Sequence, residues 1–348
     1  MSKPYTTPGV YVTEVSTLPP SIVQVATAIP AFIGYVKTAL DDNGKPIDLS
    51  KYPVVRRISS MLDYQNYFGG SASLVGTVTK TTDPKTNAVS YSYATATTAP
   101  VKSFYLYYAV QHFYANGGGD AYIIAVGDYS AAPAESKFTD GIAKAAELDE
   151  VTLLLAPEAV QLSTYYQKVV GAMLQQANNL GDRFVLIDTV PAANNKPADA
   201  ATALRDASTG ITGVTDIIKY GAAYYPNLNT ALAFDVDPTQ ITLNGFTAGT
   251  LDGLNKAAAE YNVVMALLAQ QTPTLPPSAA IAGVYAQTDA ARGVWKAPAN
   301  VPLAAVNGPS VIVTAEQQGP LNVDPGSGKS INVIRSFTGQ GSLVWGAR

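Results

Sequence analysis

The sequence lacks cysteine and contains a single histidine, His112, among its 348 residues. Disulfide bonds, thiolate nucleophiles and cysteine-liganded metals are therefore excluded, and one imidazole cannot form a multi-histidine metal site. Charged residues make up only 14% of the chain, whereas an average globular protein has about 25%. The net charge of −4 gives no basic field for a phosphate backbone, so we expect no nucleic-acid partner.

Long hydrophobic runs are absent as well. The longest apolar stretches, residues 26–36 and 263–269, are much shorter than the roughly 18 residues that a membrane-spanning helix needs. The first nine residues also lack the apolar segment of a secretory signal. We therefore expect that the chain is made in the cytoplasm and does not insert directly into a membrane.

Tyrosine is abundant, with 21 residues against 9 phenylalanines and 2 tryptophans. Its ring offers rigid, amphipathic contact area and is enriched at protein interfaces. A chain with little charge and many tyrosines is typical of a protein that buries part of its surface in interfaces with partners. A neutral monomer with a large core remains the alternative.

The N-terminal segment differs in pattern from the residues that follow. Prolines at positions 4, 8, 19 and 20 flank a short alternating run, Val10–Val15. A strand enclosed by prolines has no evident partner nearby in the sequence. Such a strand can pair with a distant part of its own chain or add to the sheet of a neighbour, or the terminus can be disordered.

Strand and helix patterns alternate from residue 101 to 290, which predicts an α/β fold with a mostly parallel sheet flanked by helices. The predicted strands cover residues 26–35, 53–58, 121–126, 151–156, 183–189, 220–225, 279–285, 310–314, 331–334 and 342–345. The predicted helices cover a short segment ending at Gly69, then residues 103–115, 139–148, 163–180 with Ser163 as N-cap, 200–207 and 250–271.

Two polar segments interrupt this body. Residues 71–100 are rich in serine and threonine and alternate in two arms around Asp83–Asn87, which predicts an inserted, exposed β-hairpin, with a flexible loop as the alternative. Residues 227–250 show no clear period.

Few residues suggest enzyme chemistry. Glu158 and Asp188 lie near the C-terminal ends of predicted strands, where α/β enzymes bind ligands, although carboxylates there commonly cap helices. The glycine-rich segment at 116–120 follows a helix and precedes a strand, the reverse of a phosphate-binding loop. Residues 326–330 lack the leading glycine of such a loop and precede a strand, which favours a plain turn. We expect His112 to pack among aromatic residues with a backbone partner.

Four blocks in order resemble contractile tail sheath proteins, the family found in myophage tails and contractile injection systems. The strongest is the signature block at 276–300. Its matching residues are Pro277, Ser278, Gly283, Tyr285, Asp289, Arg292, Gly293, Trp295, Pro298 and Asn300. The N-terminal residues Pro8, Gly9, Val10, Tyr11, Val12 and Glu14 resemble the family's intersubunit arm. Residues 113–126 and 334–348 are similar to two further family blocks.

The resemblance implies a non-enzymatic structural subunit without cofactor or metal. Family members stack as six-fold helical sheaths around an inner tube protein, with baseplate and tail-end cap proteins as further partners. The implied organisation is an arm at 1–22 that is donated to a neighbour, a body at 23–300, and the beginning of a small α+β C-terminal domain at 301–348. The implied location is a phage tail or an extracellular contractile particle made in a bacterial cytoplasm.

Family members normally continue beyond the Trp345–Arg348 segment. We therefore expect a truncated C-terminal domain, with poor order from about residue 303 onward. A divergent, short sheath protein whose final strand is supplied from elsewhere is the alternative. An α/β enzyme with a site at the strand C-termini is the alternative function, and a surface adhesin is a third, for which the expected secretion signal is missing.

Overall fold

The structure is a computed structural model that describes residues 27–347. Its strands are β1 (Pro30–Val36), β2 (Val54–Ile58), β3 (Leu74–Thr82), β4 (Val89–Thr95), β5 (Ala121–Asp128), β6 (Leu153–Leu155), β7 (Phe184–Asp188), β8 (Gly221–Tyr225), β9 (Leu228–Thr230), β10 (Val236–Asn244), β11 (Thr274–Leu275), β12 (Val301–Pro302), β13 (Val306–Pro309), β14 (Ile331–Phe337) and β15 (Gly341–Val344). Its helices are α1 (Met61–Phe68), α2 (Leu106–Ala115), α3 (Glu135–Ala145), α4 (Gly171–Leu180), α5 (Pro197–Ser208), α6 (Val214–Ile217), α7 (Ala259–Ala269), α8 (Ser278–Arg292) and α9 (Ala315–Asn322), with a π-helix at Tyr165–Val170.

The main sheet is mixed and has the strand order β12-β15-β14-β8-β7-β6-β1-β5-β2. Strands β14 through β5 in this order run parallel, whereas β2 pairs antiparallel with β5 at one edge and β15 pairs antiparallel with β14 near the other. Strand β1 has all seven residues buried, as expected for a parallel strand covered on both faces.

Helices cover both faces of this sheet. On one face α1, α2 and α8 pack against Phe32, Ile123 and Leu186, and on the other α3, α4 and α5 pack against Ile33, Ile124 and Val185. Successive residues of each strand thus enter opposite cores, which is the two-residue period of a strand. The predicted α/β class with flanking helices is confirmed.

The two insertions meet in a second sheet with the strand order β10-β3-β4. Strands β3 and β4 form the predicted antiparallel hairpin, and β10 pairs in parallel with β3. In the connecting turn the Asp83 carboxylate accepts the N–H groups of Lys85 and Thr86 at 2.7 and 3.1 Å. The segment 227–250, which showed no clear period, therefore supplies the third strand of this sheet. The paired strands β3 and β10 are some 160 residues apart in the sequence, and no local pattern indicates their pairing.

The predicted strand at 279–285 is wrong, because these residues form the first half of α8. All of them up to Val284 are buried, since α8 packs against both the sheet and the neighbouring helix α2. A helix that is buried on every side produces a continuous apolar run, which periodicity cannot distinguish from a buried strand.

Two predicted helices are shorter than expected. The helix predicted at 250–271 begins only at Ala259, because residues 250 and 251 bond back to β10 instead, with the Leu251 N–H donating to the Ile241 carbonyl at 3.0 Å. The helix predicted at 163–180 starts as the π-helix, and Thr164 rather than Ser163 is its N-cap. The wider π turn buries both Tyr165 and Tyr166, whose hydroxyls accept the N–H groups of Asp188 and Val190.

The C-terminal part departs most from expectation. Residues 310–314 form no strand; instead Thr314 begins α9 with a reciprocal side-chain cap to Gln317. The expected poor order from residue 303 onward is also wrong, because β14 pairs with β8 inside the main sheet and β15 pairs with β14. Ile331, Val333 and Ile334 are fully buried there, so these strands are held by the same core as the body.

Candidate functional site: buried carboxylates and exposed apolar surfaces

Glu158 lies just after β6 and is fully buried. Its Oε2 atom accepts the N–H of Tyr35 at 2.7 Å, and its Oε1 atom accepts the N–H groups of Tyr105 and Leu106 at 2.7 and 2.8 Å. The latter two groups are the free donors at the start of α2. Glu158 therefore caps this helix from a distant position in the sequence.

Asp188 occupies the equivalent place at the end of β7 and is also fully buried. Its Oδ1 atom accepts the N–H of Ser278 at 2.7 Å, and its Oδ2 atom accepts the Ser278 hydroxyl at 2.5 Å. Ser278 is the first residue of α8. The two carboxylates thus fix the N-termini of the two helices that pack together on one face of the sheet.

The electrostatics of these groups follow from their burial. Burial raises the pKa of Glu158 to about 8 and that of Asp188 to about 7, although the hydrogen bonds that each accepts act in the opposite direction. Neither side chain is accessible to a substrate. Within residues 27–347, no group of three or more acidic, histidine or cysteine side chains could hold a metal ion. The carboxylates act as helix caps, and nothing in their geometry favours the alternative of an enzyme.

The other candidates for chemistry also have structural roles. His112 is fully buried and its Nε2 atom lies 3.2 Å from the Ala304 carbonyl, which confirms the expected backbone partner. Burial lowers its pKa to about 4. In the segment 116–120, the Gly118 N–H donates to the Phe113 carbonyl at the end of α2. Residues 326–330 form a turn stabilised by Asp324, followed by β14, as expected.

The first half of the signature block forms a helix–helix contact. Pro277 precedes α8 and Ser278 binds Asp188 as described. A Cβ atom on Gly283 would lie 2.5 Å from the Phe113 carbonyl oxygen, so only glycine allows α8 to approach α2 this closely. The Tyr285 hydroxyl lies 3.0 Å from the Tyr224 hydroxyl of β8, which links the helix to the sheet.

The second half of the block forms the C-terminal end of α8 and the loop that follows it. Asp289 accepts the Thr27 hydroxyl at 2.7 Å, and its carbonyl accepts the Gly293 N–H at 2.9 Å, where Gly293 ends the helix at a φ of 87°. Arg292 and Trp295 are exposed. Asn300 has a φ of 58° and its N–H donates to the Val344 carbonyl at 2.6 Å, so it joins the block to β15. Pro298 lines a hollow beside Asp289.

The arm residues Pro8, Gly9, Val10, Tyr11, Val12 and Glu14 lie outside the described residues. Their assignment to an intersubunit arm remains a prediction.

Sequence reasoning missed several apolar side chains that lie on the surface. Trp295 is 84% exposed, Ile312 83%, and Val294 and Leu62 are each 64% exposed. An apolar residue in a sequence is expected in the core, so no local signal identifies these positions. Singly exposed apolar residues are normal on protein surfaces, so these positions do not by themselves define a contact surface. Within the described chain, the helices are too short or too polar to cross a membrane.

No protein-family model matches the chain, and no curated protein sequence does. Among solved structures it is similar to the anti-feeding prophage helical sheath in the contracted state, with 29% identity, a TM-score of 0.54, and coverage of 99% of this chain and 68% of that chain. A chain in the anti-feeding prophage baseplate structure gives 28% identity, a TM-score of 0.54, and coverage of 99% and 68%.

A third similar structure is the sheath complex of an extracellular contractile injection system, PVC, in the contracted state. It shows 25% identity and a TM-score of 0.51, and the match covers 100% of this chain and 67% of that chain. These matches extend over the whole α/β fold described above. The chain therefore resembles contractile sheath proteins in sequence and fold, as its sequence predicted, and this likeness supports a role as a structural subunit of a sheath.

Proposed function

We propose that copies of this chain assemble into a six-fold helical sheath around an inner tube protein, and that contraction of this sheath drives the tube through a target envelope. Baseplate and tail-end cap proteins would close the two ends of the assembly. The similarity to contracted sheath structures along 99% of the chain carries this proposal. In this proposal the subunit is made in the cytoplasm and is then incorporated into a phage tail or an extracellular particle, where these partners are present.

The surface of the molecule supports this role. Contraction requires subunits to exchange one set of contacts for another as rigid bodies. Sparse charge lowers the cost of removing water from such contacts, and the exposed Ile312 and Leu62 provide apolar area to bury. The carboxylates Glu158 and Asp188, by capping buried helices, stabilise the body that would move as a unit.

In this proposal residues 1–22 form an arm donated to a neighbouring subunit, residues 23–300 form the body, and residues 301–348 begin the C-terminal sheath domain. The alternation of Val10, Tyr11 and Val12 between prolines supports the arm, because an isolated strand needs an edge to pair with.

Negative-stain electron microscopy of the purified protein tests the proposal. We expect six-fold rings or ribbed tubes, and we expect the double variant Val10→Asp/Val12→Asp to remain folded but to lose them. Discrete small particles that bind a nucleotide would favour an enzyme instead. Undiminished tubes in the double variant would contradict the arm assignment while leaving the sheath assignment intact.

A further inference from the structure

A groove crosses the edge of the main sheet where the parallel strands begin. Two adjoining hollows of about 520 and 430 Å³ share Thr27, Asp289 and Val294 in their walls. The larger hollow continues to Trp295 and to Gly119 in the turn before β5, and the smaller continues to Phe184 at the start of β7. The groove therefore runs past the amino ends of the central strands.

Trp295 is fixed in place although it is largely exposed. Its ring folds back over Gly293, where a Cβ atom would lie only 2.1 Å from the ring. Gly293 in turn is held by its bond to the Asp289 carbonyl and by its positive φ. The indole and the neighbouring Val294 thus form a positioned apolar wall, which costs free energy as long as it faces water.

The chain enters the described structure inside this groove. The Thr27 hydroxyl donates to the Asp289 carboxylate at 2.7 Å, which fixes the first described residue against α8. A chain extends by at most about 3.6 Å per residue, so Val25 lies within about 7 Å and Val23 within about 14 Å of Thr27. In an extended segment these two side chains are on the same side. Residues 15–26 carry no charged side chain, which suits an apolar wall.

We propose that residues 21–26 of the same chain dock in this groove, with Val23 and Val25 covering Trp295 and Val294. The docked segment anchors the C-terminal end of the first 20 residues, so these residues leave the body from one defined point. This inference concerns a single molecule and does not depend on assembly.

Tryptophan fluorescence of the full chain tests the docking. The variant Trp345→Phe leaves Trp295 as the only tryptophan and keeps an aromatic ring beside Phe337. In dilute monomer we expect its emission to be blue-shifted and acrylamide quenching to be weaker than in the urea-unfolded chain. Adding Val23→Asp/Val25→Asp should shift the emission to the red and raise quenching towards the unfolded value. Adding Val10→Asp/Val12→Asp, the matched control, should change neither.

Engineered cysteines give a second measurement, since the chain has no cysteine of its own. Under mild oxidation, Val25→Cys/Val294→Cys should form an intramolecular disulfide in the monomer, and Val12→Cys/Val294→Cys should not. Full quenching of Trp295 in the Trp345→Phe chain would overturn the proposal. Shielding that disappears on dilution, or cross-links found only between molecules, would also overturn it and would identify a second copy as the occupant.

Discussion

Asp188 accepts both polar hydrogens of Ser278, the N–H at 2.7 Å and the hydroxyl at 2.5 Å, across 90 positions of the sequence. This pair fixes the start of α8 to the end of β7 within a fully buried environment. The signature block of the sequence is thereby attached to the centre of the sheet. Glu158 makes the corresponding connection between β6 and α2.

Replacing Asp188 by alanine leaves both hydrogens of Ser278 buried without a partner. We expect Asp188→Ala to lower the free energy of unfolding by about 1–3 kcal/mol, measured by urea denaturation. The exposed Asp149→Ala is the matched control and should change the free energy by less than about 0.5 kcal/mol. Equal effects of the two substitutions would show that the Asp188–Ser278 pair does not stabilise the fold.

Stability should depend on pH through the buried carboxyls. Asp188 and Glu158 hold their protons more tightly in the folded chain, where their pKa values are about 7 and about 8. Their contribution to the free energy of unfolding is therefore full below their ordinary pKa values of 3.8 and 4.5. It is lost as the pH rises through 7 for Asp188 and through 8 for Glu158. The pKa of His112 is lowered to about 4, so its effect on the free energy of unfolding has the opposite sign. That effect appears only below the ordinary histidine pKa of 6.5, where stability falls as the pH falls.

The window from about pH 6.5 to about pH 8.5 therefore isolates the carboxyls, and we expect the free energy of unfolding to fall across it. Glu158→Gln removes one of the two titrations and should reduce this slope, even if the variant is less stable at every pH. Urea denaturation at the two ends of the window measures the slope. The same slope in the variant and the parent chain would exclude Glu158 as its source.

The close approach of α2 and α8 depends on Gly283. In Gly283→Ala the added Cβ atom would meet the Phe113 carbonyl oxygen at 2.5 Å and the Asn116 Cβ at 2.9 Å, so the helices must separate. We expect a loss of about 1–3 kcal/mol, measured as a lower urea midpoint. Gly119→Ala, with open space around the added atom, is the control and should leave the midpoint nearly unchanged. A tolerated Gly283→Ala would mean that the helices are not in tight contact.

Local sequence patterns predicted most of the body because its strands are apolar runs separated by amphipathic helices. They failed for α8, where burial on all sides of Ala279–Val284 removed the helical period. They also missed α9, whose start is marked only by the Thr314–Gln317 cap. In each case the information lies in what surrounds the segment rather than in its own pattern.

The surfaces were less predictable than the core. The pairing of β10 with β3 joins two insertions that are far apart in the chain, and it depends on tertiary contacts such as Leu74 opposite Val236. Trp295 is exposed although its ring lies against Gly293, an arrangement that no local pattern indicates. By contrast, the family resemblance of the signature block did indicate the sheath fold, because its glycines and Ser278 meet specific packing requirements.

The most direct test of the sheath assignment is immunogold electron microscopy of contractile particles that are isolated from the source of the chain. Antibodies raised against the hairpin tip between β3 and β4, which is exposed in the structure, would locate the subunit. The account predicts gold particles distributed along the whole length of the contractile shaft. Labelling that is absent from the shaft, with the protein recovered only outside such particles, would contradict it.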